Sequence, residues 1–304
     1  MAVTKNTVLS QDVADSLSIE AVNSFRGEYD RLAEVLQFAS VETRPAGAAI
    51  NQFKVTGALN ENKDETSSSG DSYVEGDVVA LSKYSLEKVP FGEMTVKPYR
   101  KATSADAVLK AGLEKAVIDT DKKMILHMRA KVVDNFFNAL ANGTAVSDGQ
   151  GLQATLAMAD AKLYDALETN NDATEGLVHV ISRQDVAQYL SDTTVSVQTL
   201  FGLNYLEDFL GIEHVLITNK VAAGTLYVTP RENIKVYGLD FSALSNAGLA
   251  YQTDADGLIG VAHTAEYDNV SVQTHAIMGA MFVPQVKDYI VKATVKPQTK
   301  ALGK

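Results

Sequence analysis

The sequence predicts an α+β protein in which one long helix and several groups of short strands share the core. Apolar residues recur at spacings of three and four from Val108 to Leu140, which is typical of a long amphipathic helix. Short runs rich in β-branched residues predict strands further along, at "HVLIT" (214–218), "GTLYVTP" (224–230) and "NIKVYGL" (233–239). The chain returns to strand patterning at 271–283 and 288–295.

Composition limits the classes of function. A chain of 304 residues with 46% hydrophobic and 21% charged side chains buries a substantial core, in one large domain or two ordinary ones. The net charge of −11 and the pI near 4.9 argue against broad binding of nucleic acid, because affinity for phosphates requires clustered lysine and arginine. The absence of cysteine excludes disulfides, cysteine-ligated zinc and thiol catalysis. No signal peptide or membrane-spanning run is visible, so we expect a soluble protein.

The N-terminal region is predicted to be an arm without a core of its own. Residues 1–24 are polar and rich in small side chains. Residues 19–38 have the spacing of a short amphipathic helix, with apolar side chains at Phe25, Tyr29, Leu32, Val35 and Leu36. Such a helix is marginal in water by itself, so we expect it to pack on this subunit or on a neighbour.

A long β-hairpin with a polar tip is predicted after the arm. Polar and apolar residues alternate over 50–55, and the alternation breaks at Gly57. Residues 60–77 have the composition of a solvated loop, with three consecutive serines. Its charged residues are Lys63 and six acidic residues, Glu61, Asp64, Glu65, Asp71, Glu75 and Asp77. Two strands are then expected at 78–86 and 92–100, and the hairpin is expected to project from the body of the protein.

A capped helix start follows the second of these strands. Ser104 is a favourable N-cap residue, and Asp106 lies in the first turn, where the helix dipole favours a negative charge. Gly112 and the polar step at 119–121 are expected to divide the apolar stripe into a short helix and a longer one. The longer helix, at about 121–141, would measure roughly 30 Å.

Between 150 and about 260 the chain alternates helices and strands in a mixed order. Helices are predicted at 151–168 and 183–190, with the strand "LVHVI" between them. No internal repeat is visible. We therefore expect a compact α/β segment in this part of the chain.

The histidines give little support for catalysis or metal binding. They are His127, His179, His214, His263 and His275. None lies in an HExxH motif, and no two are three or four residues apart. We expect His127 to be solvated on the charged side of the long helix. His179 and His275 are expected to be satisfied residues of half-buried strands.

Three short motifs suggest chemistry but lack its partners. The glycine-rich turn "DGQG" (148–151) precedes a helix, without the GxGxxG spacing or the apolar strand of a nucleotide site. Asp254 and Asp256 resemble the start of a calcium loop, but Ala265 stands where the bidentate glutamate is needed, so a turn is expected. The serines at 67–69 have no accompanying base or GxSxG elbow. No catalytic, cofactor-binding or metal-binding residue is therefore predicted.

Residues 89–140 carry a resemblance to a known family. They are "VPFGEMTVKPYRKATSADAVLKAGLEKAVIDTDKKMILHMRAKVVDNFFNAL", and they look like the major capsid protein of tailed bacteriophages with the HK97-type fold. In that family an extended loop closes with a VxKP strand, often followed by basic residues, a serine-capped helix and a long spine helix. The matching positions here are Val96, Lys97, Pro98, Ser104, Asp134, Leu140 and Gly143.

The second half of the chain resembles the same family in the same order. Residues 177–192 resemble the strand and helix that open the axial domain, and residues 209–239 resemble its glycine-containing run of strands. Residues 268–295 resemble the strands that return to the peripheral domain. The likeness covers nearly the whole chain.

The resemblance implies an HK97-like capsid fold in four parts. These are an N-terminal arm (1–48), an extended loop or E-loop (49–98), a peripheral domain with the spine helix (99–150 and 262–304) and an axial α/β domain (151–261). It implies a major head protein that is not an enzyme and needs no cofactor. Such a protein forms hexamers and pentamers of an icosahedral virion shell around double-stranded DNA.

The resemblance also implies partners. These are other copies of the chain, a portal and, in some relatives, a decoration protein. The scaffolding segment that some relatives carry before the arm is not seen, and Met1 favours a separate scaffolding protein. Assembly is expected in the cytoplasm of a host bacterium, with no membrane and no sequence-specific binding of DNA. Some relatives crosslink neighbours through a lysine, but the exposed acidic surroundings of Lys63 argue against that reaction here.

The charge pattern predicts one contact between subunits. Lys97, Arg100 and Lys101 form the densest basic group, at the base of the extended loop. We expect them to face acidic loop residues of a neighbouring subunit. The candidates are Glu61, Asp64 and Glu65.

Two other functions remain open on the sequence. The first is an encapsulin, a cellular shell of the same fold that holds an enzyme cargo. The second belongs to a different class, a soluble α/β enzyme or binding protein that uses residues 150–260. Particle formation separates both shells from the second alternative, and the nucleic-acid content of a particle separates the two shells.

Overall fold

A computed structural model describes residues 32, 35–37, 39, 41–59, 81–192, 214–246 and 248–297. The chain divides into two compact units. The smaller unit is Gly47–Glu93, and the larger one comprises Met1–Ala46 and Met94–Lys304.

Strands outnumber helices along the described chain. The described strands are β1 (Val41–Arg44), β2 (Ala49–Ala58), β3 (Lys83–Glu93), β4 (Lys97–Ser104), β5 (Ala145–Gln150), β6 (Leu177–Ser182), β7 (His214–Thr218), β8 (Thr225–Pro230), β9 (Ile234–Leu239), β10 (Gln252–Thr253), β11 (Ile259–Glu266), β12 (Ser271–Met278), β13 (Ala280–Pro284) and β14 (Val291–Lys296). The described helices are α1 (Ala105–Ala111), α2 (Asp119–Ala141), α3 (Gly151–Asn170), α4 (Arg183–Asp192) and α5 (Ser242–Asn246). A π-helical turn lies at Glu114–Ile118, and a 3-10 turn at Lys287–Tyr289.

The smaller unit is a β-hairpin. Strands β2 and β3 pair antiparallel over their full length, with a register shift between Ile50 and Asn51. The predicted hairpin is therefore confirmed, but its second strand lies later in the sequence than the predicted 78–86, and residues 60–80 lie outside the described part. The predicted strand at 92–100 is wrong as part of the hairpin, because β4 begins at Lys97 and pairs with β12 in the larger unit.

Three sheets build the described part of the larger unit. One has the order β10-β11-β12-β4 and is antiparallel throughout. The second has the order β1-β9-β13, with β1 parallel to β9. The third has the order β5-β14-β8-β6-β7, in which every residue of β6 is buried. Helix α3 packs against the third sheet through a row of leucines. None of the described helices is long and apolar enough to cross a membrane.

The third sheet crosses the predicted domain boundary. Strand β14 pairs with β5 on one side and with β8 on the other, although the sequence placed β14 in the peripheral domain and β8 in the axial domain. Strand β5 is not predicted, because its second half is the turn-like "DGQ". A side chain at Gly149 would lie 2.6 Å from the backbone of Thr155, so this glycine permits the close approach of β5 to α3.

The long helix follows the predicted plan. Ser104 Oγ accepts a hydrogen bond from the Ala107 N–H, which confirms the N-cap of α1. Helix α1 ends at Gly112, whose φ of 81° favours glycine, and the π-helical turn then leads into α2. Phe136 of α2 packs edge-on against Phe282 of β13, with ring centroids 5.8 Å apart.

The main core forms around α2. Its buried stripe comprises Ile125, Met128, Val132, Val133, Phe136, Ala139 and Leu140. Leu32 and Val35 of the predicted arm helix are buried in the same core, so this part of the arm packs on its own subunit. Most of the remaining predicted arm, including Phe25 and Tyr29, lies outside the described residues.

A buried polar network holds the first turn of α2 to three strands of the antiparallel sheet. Asp121 is 1% exposed, and its carboxylate lies 2.5 Å from the Lys101 ammonium of β4. Its second oxygen lies 2.7 Å from His263 Nε2 on β11. Thr274 of β12 donates a hydrogen bond to the first oxygen at 2.8 Å. One carboxylate therefore joins the helix to β4, β11 and β12.

The network also shifts the ionisation of Asp121. Burial alone raises the pKa of this carboxyl group, but the hydrogen bonds from His263 and Lys101, together with the charge of Lys101, hold it below its usual value. A pKa that is lower in the folded state means that the unfolded chain binds more protons in acid. The stability from this group is therefore present above about pH 4 and is lost as the pH falls through the folded pKa.

A second buried contact fixes the middle of α2. The Arg129 guanidinium lies 2.8 Å from Asp256 and 3.4 Å from Asp254. Asp254 also accepts hydrogen bonds from the backbone N–H groups of Leu258 and Ile259, which close the turn between β10 and β11. Burial raises the pKa of Asp254 despite these hydrogen bonds. The expected turn at Asp254 and Asp256 is confirmed.

We predict that Asp121→Asn lowers the free energy of unfolding by about 3–5 kcal/mol, because it leaves the partly buried Lys101 ammonium without its counter-charge. Urea denaturation measures this change. As the pH falls below about 4, the wild-type chain should also lose more stability than the variant.

The matched control is Asp119→Asn in the same turn. Asp119 is exposed and lies 3.7 Å from Lys122, so its loss should cost less than about 1 kcal/mol. Equal effects of the two substitutions would contradict the structural role of Asp121.

Candidate functional site

The hairpin unit exposes an apolar face. Residues directly opposite one another in an antiparallel pair point to the same side, and the register places Val55 opposite Leu86 and Gly57 opposite Tyr84. Phe53 lies two residues before Val55 and shares this side. We define Phe53, Val55, Tyr84 and Leu86 as the apolar hairpin face. Their exposed fractions are 62%, 62%, 54% and 70%, respectively.

The opposite side of the hairpin is polar. Lys54 lies opposite Glu87, and Thr56 lies opposite Ser85, with their hydroxyl oxygens 3.0 Å apart. Two-stranded hairpins are at best marginally stable in water unless another element covers one face. Fully burying a large apolar side chain contributes about 1.5–3 kcal/mol, so the apolar hairpin face holds several kcal/mol of association energy.

Gly57 lets the Tyr84 ring lie across the hairpin. A Cβ atom at Gly57 would approach Tyr84 Cδ1 to 2.5 Å and the Lys83 carbonyl oxygen to 2.6 Å. Side chains cannot come this close, so any larger residue would displace the ring or the neighbouring backbone. The break in alternation at Gly57 therefore marks a packing requirement of the apolar hairpin face.

The three basic residues predicted to face a neighbour do not form one cluster. Lys101 turns inward to Asp121, whereas Arg100 points to the other side of β4, opposite His275. Burial and the nearby charge of Arg100 lower the pKa of His275. Lys97 is exposed at the beginning of β4. Their predicted partners, Glu61, Asp64 and Glu65, lie outside the described residues, so the contact stays a prediction.

A groove lies along β4 and the outer side of α2, with a volume of about 730 Å³. Lys123, His127 and Lys131 recur at spacings of four on α2, so they line one edge of it. Tyr99 and Met124 supply an apolar floor, and the Lys131 ammonium lies 4.8 Å from the centroid of the Tyr99 ring. We call this feature the basic groove, lined by Tyr99, Lys123, Met124, His127 and Lys131.

Three of the histidines form hydrogen bonds to neighbouring side chains. His127 is exposed, as predicted, and His275 is hydrogen-bonded to Thr264 at 3.1 Å. His179 is more deeply buried than predicted, with Nε2 2.7 Å from Asp160. The role of His263 beside Asp121 was not predicted, because the two residues are 142 positions apart.

The segment proposed for an alternative enzyme contains one cavity beside the Asp160–His179 pair. It has a volume of about 340 Å³ and lies between α3 and the start of β6. Its lining carries acidic groups but no serine, cysteine or lysine, and the Thr174 hydroxyl donates a hydrogen bond to the Gly176 carbonyl oxygen. Among the described residues, no three metal-ligating side chains come together. The cavity thus holds one histidine–aspartate pair among several other acidic side chains.

Comparison with known proteins identifies the fold. No family model and no curated protein matches the chain. Solved capsid chains of phages do match, at low identity. The cyanophage A-1(L) capsid is similar at 13% identity with a TM-score of 0.58, over 90% of this chain and 95% of that chain.

Two further capsids give the same result. The cyanophage P-SCSP1u capsid matches at 12% identity and a TM-score of 0.54, over 86% of this chain and 88% of that chain. The capsid of the Myoviridae phage XM1 matches at 11% identity and a TM-score of 0.53, over 90% and 94%. The chain therefore has the fold of phage capsid proteins, and the predicted HK97-type fold is confirmed.

We predict that Gly57→Ala loosens the hairpin by about 1–3 kcal/mol, because the new methyl group overlaps Tyr84 and the Lys83 carbonyl group. Amide hydrogen exchange in β2 and β3 should become faster, while exchange in α2 stays unchanged. Thr56→Ala, on the polar side of the same strand, is the control. Equal exchange in the two variants would show that the contact at Gly57 is not required.

Proposed function

We propose that this chain is a structural shell subunit, the major capsid protein of a tailed bacteriophage. Copies of it assemble into hexamers and pentamers of an icosahedral head that encloses double-stranded DNA. The observation that carries the proposal is the apolar hairpin face, which is exposed on a separate unit of a chain with a capsid fold. A face of this kind needs a partner, and a second copy of the chain is always available in an assembling shell.

The energetics of a shell fit such a surface. Each subunit touches several neighbours, so contacts that are individually modest combine into a stable assembly. The rigid parts suit a wall as well, because α2 is about 35 Å long and is fixed to the sheets at Asp121 and Arg129.

Charge refines the proposed contacts. Lys97 and Arg100 are exposed and remain candidates to face Glu61, Asp64 or Glu65 of a neighbouring loop. Lys101 already neutralises Asp121 within its own subunit, so it contributes less to such a contact. Contacts between exposed charges act on the rate and specificity of association and weaken with salt.

The net negative charge of the chain affects how the shell would hold DNA. A net charge of −11 disfavours tight binding of DNA to the wall, so the genome would be enclosed without sequence-specific contacts. The proposal includes a separate scaffolding protein and a portal, with assembly in the host cytoplasm and a final place in the virion.

We predict that the purified wild-type chain forms closed particles under negative-stain electron microscopy and that Phe53→Ser/Leu86→Ser prevents them. The double substitution replaces two of the four side chains of the apolar hairpin face by polar ones. Lys54→Ser/Glu87→Ser is the control, since it changes an opposed pair on the polar side and keeps the net charge.

Three results would count against this assignment. A wild-type chain that stays monomeric at all concentrations, stabilised by a small ligand, would favour a soluble enzyme or binding protein. Particles that form in the Phe53→Ser/Leu86→Ser variant would exclude the hairpin face as an assembly contact. Particles purified from the native host with a protein cargo and no nucleic acid would favour the encapsulin alternative.

We predict that Lys97→Glu/Arg100→Glu slows assembly, with the largest difference from wild type at low salt. Light scattering follows the rate. Lys101 is left unchanged because its substitution would break the contact with Asp121 and confuse folding with assembly. Rates that match wild type at every salt concentration would remove these two residues from the interface.

A further inference from the structure

We propose that the cavity beside the Asp160–His179 pair binds a primary ammonium group. The group belongs either to a free alkyl diamine or to a lysine side chain of a protein, because both present the same charged –NH3+ head. The inference goes beyond the proposed shell function, since binding of an amine does not require the chain to assemble.

Local structure brings the acidic groups of the cavity together. Asp160, Tyr164 and Glu168 are spaced by four residues on α3, so they lie along one side of the helix. Asp172 and Glu175 lie in the loop that leads from α3 to β6. Four carboxyl groups therefore line one cavity of about 340 Å³.

The four carboxyl groups have no cationic partner in the described part of the chain. The lining of the cavity contains no lysine or arginine. Each ion pair that a described lysine or arginine forms is with some other carboxyl group. Carboxylates that are gathered without a counter-charge repel one another, so a ligand with a positive charge relieves that repulsion.

His179 supplies a hydrogen-bond acceptor that lacks a partner. The side chain is 2% exposed and lines the cavity, and its Nε2 lies 2.7 Å from the Asp160 carboxylate. A neutral ring that donates its Nε2–H to this carboxylate keeps a lone pair on Nδ1. Nδ1 is buried, and none of the described residues forms a hydrogen bond to it. Because an unpaired buried polar atom is costly, a ligand that donates a hydrogen bond to Nδ1 is favoured.

A primary ammonium matches both features better than a metal ion does. It carries the charge that the carboxylates favour, and its three N–H bonds can donate to Nδ1 and to a carboxylate at once. A metal ion needs several ligands around one point, and no three metal-ligating side chains come together among the described residues. The ring of Tyr164, which is 48% exposed at the cavity, is a further group that attracts cations.

The loop that lines the cavity is held by hydrogen bonds. Tyr289 donates from its hydroxyl to the Asp172 carboxylate, and the Thr174 hydroxyl donates to the Gly176 carbonyl oxygen. The Arg231 backbone N–H donates to the same carbonyl oxygen at 3.0 Å. A site that is ordered before binding loses little conformational freedom on binding, so a small amine can bind measurably.

The test is isothermal titration calorimetry of the full-length chain with putrescine, a linear four-carbon diamine. Its quaternary analogue, in which both nitrogens carry three methyl groups, keeps the charges but has no N–H donor. Butanediol keeps hydroxyl donors but has no charge. We expect putrescine to bind, the quaternary analogue to bind about tenfold more weakly or worse, and butanediol to show no binding. All three ligands meet the same wild-type protein, so the comparison does not depend on the stability of a variant.

Three variants locate the ligand. Glu168→Gln/Glu175→Gln removes two exposed carboxylates of the cavity and should weaken putrescine binding about tenfold or more. The control, Glu114→Gln/Asp268→Asn, removes the same charge at two exposed residues outside the cavity and should bind within about twofold of wild type. His179→Phe should abolish the preference for putrescine over the quaternary analogue, because Nδ1 is gone.

A further ligand distinguishes the two sources of the ammonium group. A blocked lysine, acetylated at its α-nitrogen and amidated at its carboxyl group, should bind about as tightly as putrescine if the cavity takes a lysine side chain of a protein. Binding more than about tenfold weaker would identify a free amine as the ligand, because the backbone of a lysine would then be excluded.

Four results would overturn the inference. The first is no binding of any amine at millimolar concentration, and the second is equal binding of putrescine and its quaternary analogue. The third is an equal loss of binding in the cavity variant and the control variant. The fourth is magnesium or calcium that binds the cavity more tightly than putrescine, which would make it a metal site.

Electron microscopy separates this inference from the proposed function. If the wild-type chain forms particles and binds no amine, the cavity inference fails and the shell function stands. If putrescine binds as expected and no particles form under any condition, the cavity inference is supported and the shell function fails.

Discussion

The contact between Asp121 and its three partners is the constraint on which the larger unit depends. A carboxylate that is 1% exposed is costly to bury, and it is tolerated because a lysine, a histidine and a threonine surround it. These partners come from β4, β11 and β12, so the network fixes where α2 begins relative to the sheet. Arg129, two turns later, fixes its direction through the turn at Asp254 and Asp256. With both points held, the apolar stripe of α2 faces the core and the basic groove faces outward.

The two units differ in where their apolar side chains lie. The larger unit buries its apolar stripes internally, whereas the hairpin presents Phe53, Val55, Tyr84 and Leu86 to solvent. A shell subunit gains binding surface in proportion to the number of its neighbours. This difference between a unit with a buried core and a unit with an exposed apolar face therefore supports the proposed function more than any single residue does.

Sequence periodicity predicts the elements whose pattern comes from burial alone. The stripe of α2, the N-cap at Ser104 and most strands of the third sheet follow from local spacing. Strand β5 escapes prediction because its pairing with β14, nearly 150 residues away, overrides a turn-like composition. A similar distance hides two of the partners of Asp121, His263 and Thr274. Strand alternation alone indicates that Arg100 and Lys101 point to opposite sides. Only the fold shows that Lys101 forms an ion pair with Asp121 of its own subunit. The acidic loop lies outside the described residues, so its contacts stay predictions.

The pairing of the hairpin has a cost for the free chain. Among the described strands, β2 and β3 pair only with each other, so both of their outer edges present backbone N–H and C=O groups with no strand beside them. Open edges next to an apolar face are templates for unspecific strand addition, which lysines such as Lys54, Lys83 and Lys88 oppose by charge. In newly made chains, ordered association therefore competes kinetically with aggregation. The yield of intact protein would then depend on how fast chains are synthesised relative to how fast they find correct neighbours.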